Sequence, residues 1–211
     1  MMGASDRFFI TVRGKSGHGG KPQQGVDAIV IAGQIISALQ SIVSRNVGPM
    51  ESGVISIGKI RGGSRYNVIA DEVVMEGTCR TGQPEVQALI PKRMEAIIKG
   101  IAESMGGSGE LDYRMGSAPC TNSPEMFRCI RESVAEVCGG DGVVIPEKGV
   151  LVSEDFSHYG KYTEAGFSWL GCGDESCTSL HTADFLPKEE TMLVGAEFLV
   201  TAALRYLAEG K

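Results

Sequence analysis

Apolar positions along the 211-residue chain change period several times, and each change marks an element. Phe8-Phe9-Ile10-Thr11-Val12-Arg13 is a β-rich run closed by Gly14, and the Gly-rich stretch to Gly25 reads as a loop. From Val26 to Arg45, Ile29, Ala32, Ile36, Leu39 and Val43 recur at helical spacing. Ile31, Ile35 and Ile42 form an adjacent stripe, so this helix has a wide apolar face. Val54–Gly58 and Val73–Thr78 are β-branched runs on either side of the turn-rich Arg61-Gly62-Gly63-Ser64, which predicts antiparallel neighbours. Val86, Ile90, Met94, Ile97 and Ile101 mark a second helix, kinked or begun at Pro91, and Glu110–Met115 gives a last strand. Strand-helix-strand-strand-helix-strand is the split βαβ order of a ferredoxin-like domain.

Past Ala118-Pro119 the pattern predicts a helix over Met126–Val137, a strand over Gly142–Ile145, a short helix near Asp155–Tyr162, a strand over Phe167–Gly171 and a closing helix over Lys188–Ala208. Two strands are fewer than the ~5 of an ordinary sheet, so this half is expected to complete a sheet begun elsewhere. The predicted class is α/β with an α+β first domain, divided as residues 1–117 and 118–211.

Composition narrows the functional classes. Hydrophobic residues make up 42% of the chain, enough to bury a core. A net charge of −6 without a Lys/Arg cluster argues against nucleic acid. No run approaches the ~18 consecutive apolar residues of a membrane span, so no membrane partner is expected and the default address is cytoplasmic. The six cysteines lack a CxxC pair and are read as reduced thiols, and Cys172, Cys177 and His181 lack a fourth zinc ligand at usable spacing.

Five segments carry residues suited to chemistry. His18 lies in Gly-His-Gly-Gly-Lys-Pro after a strand, and Asn67 follows the glycine turn. Arg80 ends a β-rich run, where a guanidinium can clamp a carboxylate. Glu154 lies in Ser-Glu-Asp-Phe, which also reads as a capped helix start, and His181 lies in Leu-His-Thr. Singly, each has an ordinary explanation: an exposed loop histidine, a turn asparagine, a solvated arginine, a capping acid.

In succession, Gly-His-x-x-x-Pro, Gly-Gly-x-x-x-Asn-Val-Ile, Gly-Thr-x-Arg-Thr, Ser-Glu-Asp-Phe and Leu-His-Thr resemble the aminoacylase/hippurate-hydrolase family of dinuclear metallopeptidases, from Asp6 to Leu207. The resemblance implies a ferredoxin-like lid followed by the last part of a zinc-exopeptidase-like α/β catalytic domain. It assigns His18 to the oxyanion, Asn67 and Arg80 to the substrate's carbonyl and carboxylate, and His181 to a metal. Glu154 stands one layer behind the ligands.

It also implies two divalent ions in the complete enzyme, zinc first and manganese or cobalt as alternatives, with none held tightly by this chain alone. The substrate would be an N-acyl amino acid or dipeptide-like amide, and the lid would form a homodimer. The family's Cys-Gly-His-Asp segment and Glu-Glu pair are missing, Ala70 replaces a usual proline, and Gln23 stands where a histidine often follows the lid proline. Met1–Phe8 resembles the family's internal passage into the lid. The expectation is therefore an amidohydrolase fragment, inactive alone, its chain cut or its gene misread at the start. The alternative is a non-catalytic dimerisation or small-molecule-binding module derived from the lid.

Overall fold

The computed structural model describes residues 2–174, 177–178 and 180–210, so Met1 of the opening passage lies outside it. The chain divides into two compact units, residues 1–120 with 149–158, and residues 121–148 with 159–211.

The first unit begins with β1 (Ala4–Arg13), β2 (Gly17–His18), α1 (Ala28–Arg45), β3 (Gly53–Gly62) and β4 (Val68–Ile69). It continues with β5 (Glu72–Thr81), α2 (Pro84–Ser104) and β6 (Ser108–Ser117). Four long strands form an antiparallel sheet in the order β3-β5-β1-β6, with α1 and α2 packed on one face. This is the ferredoxin-like topology that the element order predicts. Phe8, Ile10 and Val12 alternate into the core from β1 and meet Ile31, Ile35, Leu39 and Ile42 of α1 and Ile90, Met94 and Ile98 of α2. Each such side chain contributes about 2 kcal/mol on burial.

Some elements differ from the sequence reading. In α1 the stripe containing Ile31, Ile35 and Ile42 faces the core, while Ile36 and Val43 are half-buried and Ile29 is exposed. Asp27 caps this helix, accepting from the N–H groups of Ile29 and Val30 at 2.9 and 3.2 Å. Helix α2 begins at Pro84, where a missing N–H costs nothing, and runs through Pro91 without a break. The loop after Gly14 contains β2, paired antiparallel with β4.

In the second unit, α3 (Pro124–Cys138) and α4 (Glu190–Ala208) form the expected helices. The segment Asp155–Lys161 is 3-10 rather than α. No strand forms among the described residues of this unit, so Gly142–Ile145 and Phe167–Gly171 depart from the prediction. Their backbone groups are met in other ways: Phe167 exchanges two hydrogen bonds with the Asn122 side chain, at 2.8 and 2.9 Å, and the Val143 N–H donates to the Gly140 carbonyl at 3.2 Å.

A buried carboxylate ties the first unit together. Asp6 accepts from Gln87 Nε2 of α2 at 2.8 Å, Tyr113 Oη of β6 at 2.8 Å and the Gly116 N–H at 2.9 Å. Asp6→Ala removes the acceptor of the buried Gln87 amide, the half-buried Tyr113 hydroxyl and the Gly116 N–H, and is expected to destabilise this unit by about 2 kcal/mol, with Asp6→Asn milder. Urea unfolding followed by hydrogen exchange of the β1 and β5 amides measures it.

Candidate functional site

The β2–β4 ribbon holds the first two candidate residues side by side. His18 pairs with Val68, and the N–H of Gly19 donates to the carbonyl of Asn67 at 2.9 Å. His18 Nδ1 accepts from the Gly20 N–H at 2.9 Å, and the His18 carbonyl accepts from the Lys21 N–H at 2.8 Å. Because its Nδ1 lone pair is engaged, the neutral ring carries its proton on Nε2, which is then the donating nitrogen. Both His18 and Asn67 are exposed.

Arg80 sits at the other end of the sheet. The ribbon joins the sheet where Arg13 pairs with Glu72, whereas Arg80 pairs with Ser5 and Val54. Arg80 lies eight residue steps along β5 from Glu72, about 26 Å on an extended strand. The half-buried guanidinium donates from Nη1 to Thr78 Oγ1 and, at 3.1 Å, to the Cys79 carbonyl. Thr78 in turn donates its hydroxyl to the Asp6 carbonyl at 2.8 Å. Thr78 is thus a positioning residue that the sequence reading misses, although it stands inside Gly-Thr-x-Arg-Thr.

Behind Arg80, burial pushes the Cys79 thiol up to about 11, only partly offset by its hydrogen bond with Tyr113. Burial, with Cys79 and Asp6 beside it, also raises the Tyr113 phenol above its ordinary range. These groups stay neutral at physiological pH and serve as packing and hydrogen-bonding parts. Gly77 is required by close approach: a Cβ there would lie 2.2 Å from Phe8 Cζ and 2.4 Å from the Ser56 carbonyl.

On the open face of the sheet, Arg7 and Arg114 lie 4.6 and 4.7 Å from the centroid of the Phe9 ring. Glu76 bridges Lys59 at 2.8 Å and Arg7 at 3.2 Å, which holds its carboxyl below the usual carboxylate range.

Segment 149–158 brings Glu154 to the Arg80 end of the first unit: the Gly3 N–H donates to the Val152 carbonyl at 2.8 Å, next to where Ala4 pairs with Thr81. Glu154 Oε1 accepts from the Phe156 N–H at 3.4 Å, and its carbonyl from the Ser157 N–H at 3.2 Å, so it acts as a local cap. His181 belongs to the second unit, is exposed, and has φ 67°, the one positive φ outside glycine among the described residues. The structure therefore joins His18 to Asn67 and separates that pair from Arg80.

Residues 5–105 match the model of a peptidase dimerisation domain. Over 204 residues the chain is 33% identical to N-acetylcysteine deacetylase of Bacillus subtilis strain 168, a match covering 97% of this chain and 52% of that protein. Its structure is similar to that of a putative aminohydrolase from methicillin-resistant Staphylococcus aureus, with TM-score 0.86 and 30% identity, covering 96% of this chain and 52% of the other. It is also similar to the YXEP protein of Bacillus subtilis, described as a dinuclear metal binding peptidase from the M20 family. There the TM-score is 0.79 and the identity 27%, covering 99% of this chain and 51% of the other.

Residues 5–105 thus form an M20-type peptidase dimerisation domain, and the chain as a whole is similar to part of proteins of the M20 family. It spans about half the length of the curated relatives it matches. Among the described residues, no group of three or more His, Cys, Asp or Glu able to hold an ion occurs.

Proposed function

We propose that this chain supplies the lid and the substrate-gripping residues of a metal-dependent amidohydrolase that cleaves the amide of N-acyl amino acids or similar small substrates. The observation that carries this reading is the His18–Asn67 pair, an imidazole whose Nδ1 is occupied by a backbone N–H, beside an exposed carboxamide on the same ribbon. Such a group can donate through Nε2 to an oxygen that gains charge. A preorganised oxyanion donor is typically worth a factor of about 10²–10³ in rate. Similarity to a protein named N-acetylcysteine deacetylase supports the substrate class.

In this reading Asn67 donates to the scissile carbonyl, and Arg80, held by Thr78, clamps the free carboxylate of the amino-acid moiety. Glu154 supports the site from behind. Two divalent ions, zinc first, would supply the activation of the attacking water in the complete enzyme. His181 is the one ligand this chain contributes, and the others come from the half of the family's length that the chain does not span.

The separation of about 26 Å along β5 between the ribbon end and Arg80 is longer than an N-acyl amino acid. One small substrate cannot reach both ends of one lid. A two-fold homodimer resolves this, because antiparallel pairing of the β3 edges sets the ribbon end of one copy toward the Arg80 end of its partner. An unpaired edge at β3 and exposed Ile29, Val54 and Ile60 nearby suit such an interface.

Two outcomes test the proposal. When this chain is assembled with the half of Bacillus subtilis N-acetylcysteine deacetylase that it does not match, His18→Ala should lower kcat about 100-fold with little change in KM. Arg80→Ala should mainly raise KM for substrates with a free carboxylate. An unchanged kcat for His18→Ala removes His18 from the chemistry. Separately, sedimentation should find the chain dimeric, and Ile29→Glu with Ile60→Glu should give monomers of unchanged circular dichroism.

A further inference from the structure

The open face of the sheet, opposite α1 and α2, carries a shallow cavity of about 630 Å³, within the size range of small-molecule sites. Two irregularities shape it. On β3, Gly58 is an extra residue between the pairs Ile57–Gly77 and Lys59–Glu76. On β6, Met115 and Gly116 stand against the single Asp6, between the pairs Arg114–Arg7 and Ser117–Ser5. Bulges bend a strand and increase its twist. These two lie on the outer strands of the sheet, and both line the cavity.

The charge of the cavity runs against that of the chain. Arg7, Arg114 and Lys59 line it, and Arg80 adjoins it, because Ser5, the cross-strand partner of Arg80, and Thr78, which accepts from its guanidinium, are also lining residues. Four cations meet three carboxylates there, Glu76, Asp112 and the buried Asp6, on a chain of net charge −6. Arg7 and Arg114 are directly opposite each other on β1 and β6, an arrangement in which like charges repel. Both guanidiniums nevertheless lie over the one Phe9 ring, which holds them together at the cavity wall.

The carboxylates already present do not exhaust these donors. Glu76 keeps Lys59 at 2.8 Å when Arg7 turns to a ligand, so no carboxylate is left alone. Arg114 gives Nε and Nη2 to one oxygen of Asp112, which leaves Nη1 for a second anion.

We infer that Arg7 and Arg114 form an anion subsite beside Arg80, which takes a second carboxylate at the side-chain end of the substrate's amino-acid moiety. The pair Arg7–Thr78 lies two residues along the sheet from the pair Ser5–Arg80, about 7 Å, a spacing on the scale of a dicarboxylic amino acid. A free inorganic anion would engage the two guanidiniums but make no use of their contiguity with Arg80. The identity of the ligand rests on the reading of Arg80 as the carboxylate clamp, whereas the subsite itself rests on Arg7, Arg114 and the cavity.

The test titrates the full chain with N-acetyl-L-glutamate, N-acetyl-L-glutamine and inorganic phosphate at physiological salt, following the guanidinium NMR signals of Arg7, Arg114 and Arg80. N-acetyl-L-glutamate should bind about tenfold more tightly than its side-chain amide, which has the same shape without the second charge. Arg7→Gln with Arg114→Gln should remove that preference at unchanged circular dichroism, since both side chains are 62% exposed. Arg13→Gln with Arg61→Gln takes the same charge from the far end of the sheet and should leave the preference intact, because exposed charges are screened beyond about 8 Å at this salt. The inference is overturned by equal affinity for the two acetylated compounds, or by phosphate binding as tightly as N-acetyl-L-glutamate. It is overturned equally by a preference that survives loss of Arg7 and Arg114, or that falls as far with loss of Arg13 and Arg61. If Arg80→Ala leaves both affinities unchanged while the preference stays, the carboxylate clamp falls and the subsite stands.

Discussion

A carboxylate that is 3% exposed is costly to bury, and Asp6 is tolerated because three donors from two other elements converge on it. It sits near the start of β1, the strand between β5 and β6, so it fixes the position of α2 and β6 at one end of the sheet. Its own carbonyl accepts from Thr78, and Thr78 holds Arg80. Arg80 is therefore held by a chain of hydrogen bonds that starts in the core, not by its own rotamer preference. A guanidinium restrained in this way loses less entropy when it clamps a carboxylate.

The opposite end of the sheet solves a similar problem with backbone alone. Glycines on both sides of His18 leave room for the Gly20 N–H to reach Nδ1, and the two-residue pairing of β2 with β4 keeps Asn67 beside it. Each end is rigid for a local reason, and the ten-residue β5 keeps them apart. This geometry makes dimerisation more than a stabilising accessory in the proposed enzyme: assembly is what brings the two ends to one substrate.

Much of the first unit is legible in the sequence because its periods are clean. Alternation in Phe8–Val12 and the 3.6-residue rhythm of Ile31, Ile35, Leu39 and Ile42 report the two faces that meet in the core. Less legible is which of two apolar stripes in α1 faces inward, since Ile29 and Ile31 are equally apolar and only the docking of the helix decides. The role of Asp6 is illegible for a related reason: its partners Gln87, Tyr113 and Gly116 are distant in sequence, and no local pattern announces them. The pairing of β2 with β4 also escapes the sequence, because two-residue strands leave no periodicity.

In the second unit, the β-type runs at 142–145 and 167–171 read as strands, yet no strand forms at either among the described residues, and Phe167 bonds to the Asn122 side chain, which no local pattern announces. The same reasoning applies to the metal. His181 has the sequence context of a ligand, but a metal site is a property of several donors, and the described residues assemble no group of three. The measurement that bears most directly on the account is zinc stoichiometry by equilibrium dialysis, for the chain alone and for its assembly with the complementary half. The prediction is no tightly held zinc on the chain alone and two ions per assembled site. Tight, stoichiometric zinc on the chain alone, with turnover of N-acyl amino acids, would contradict it.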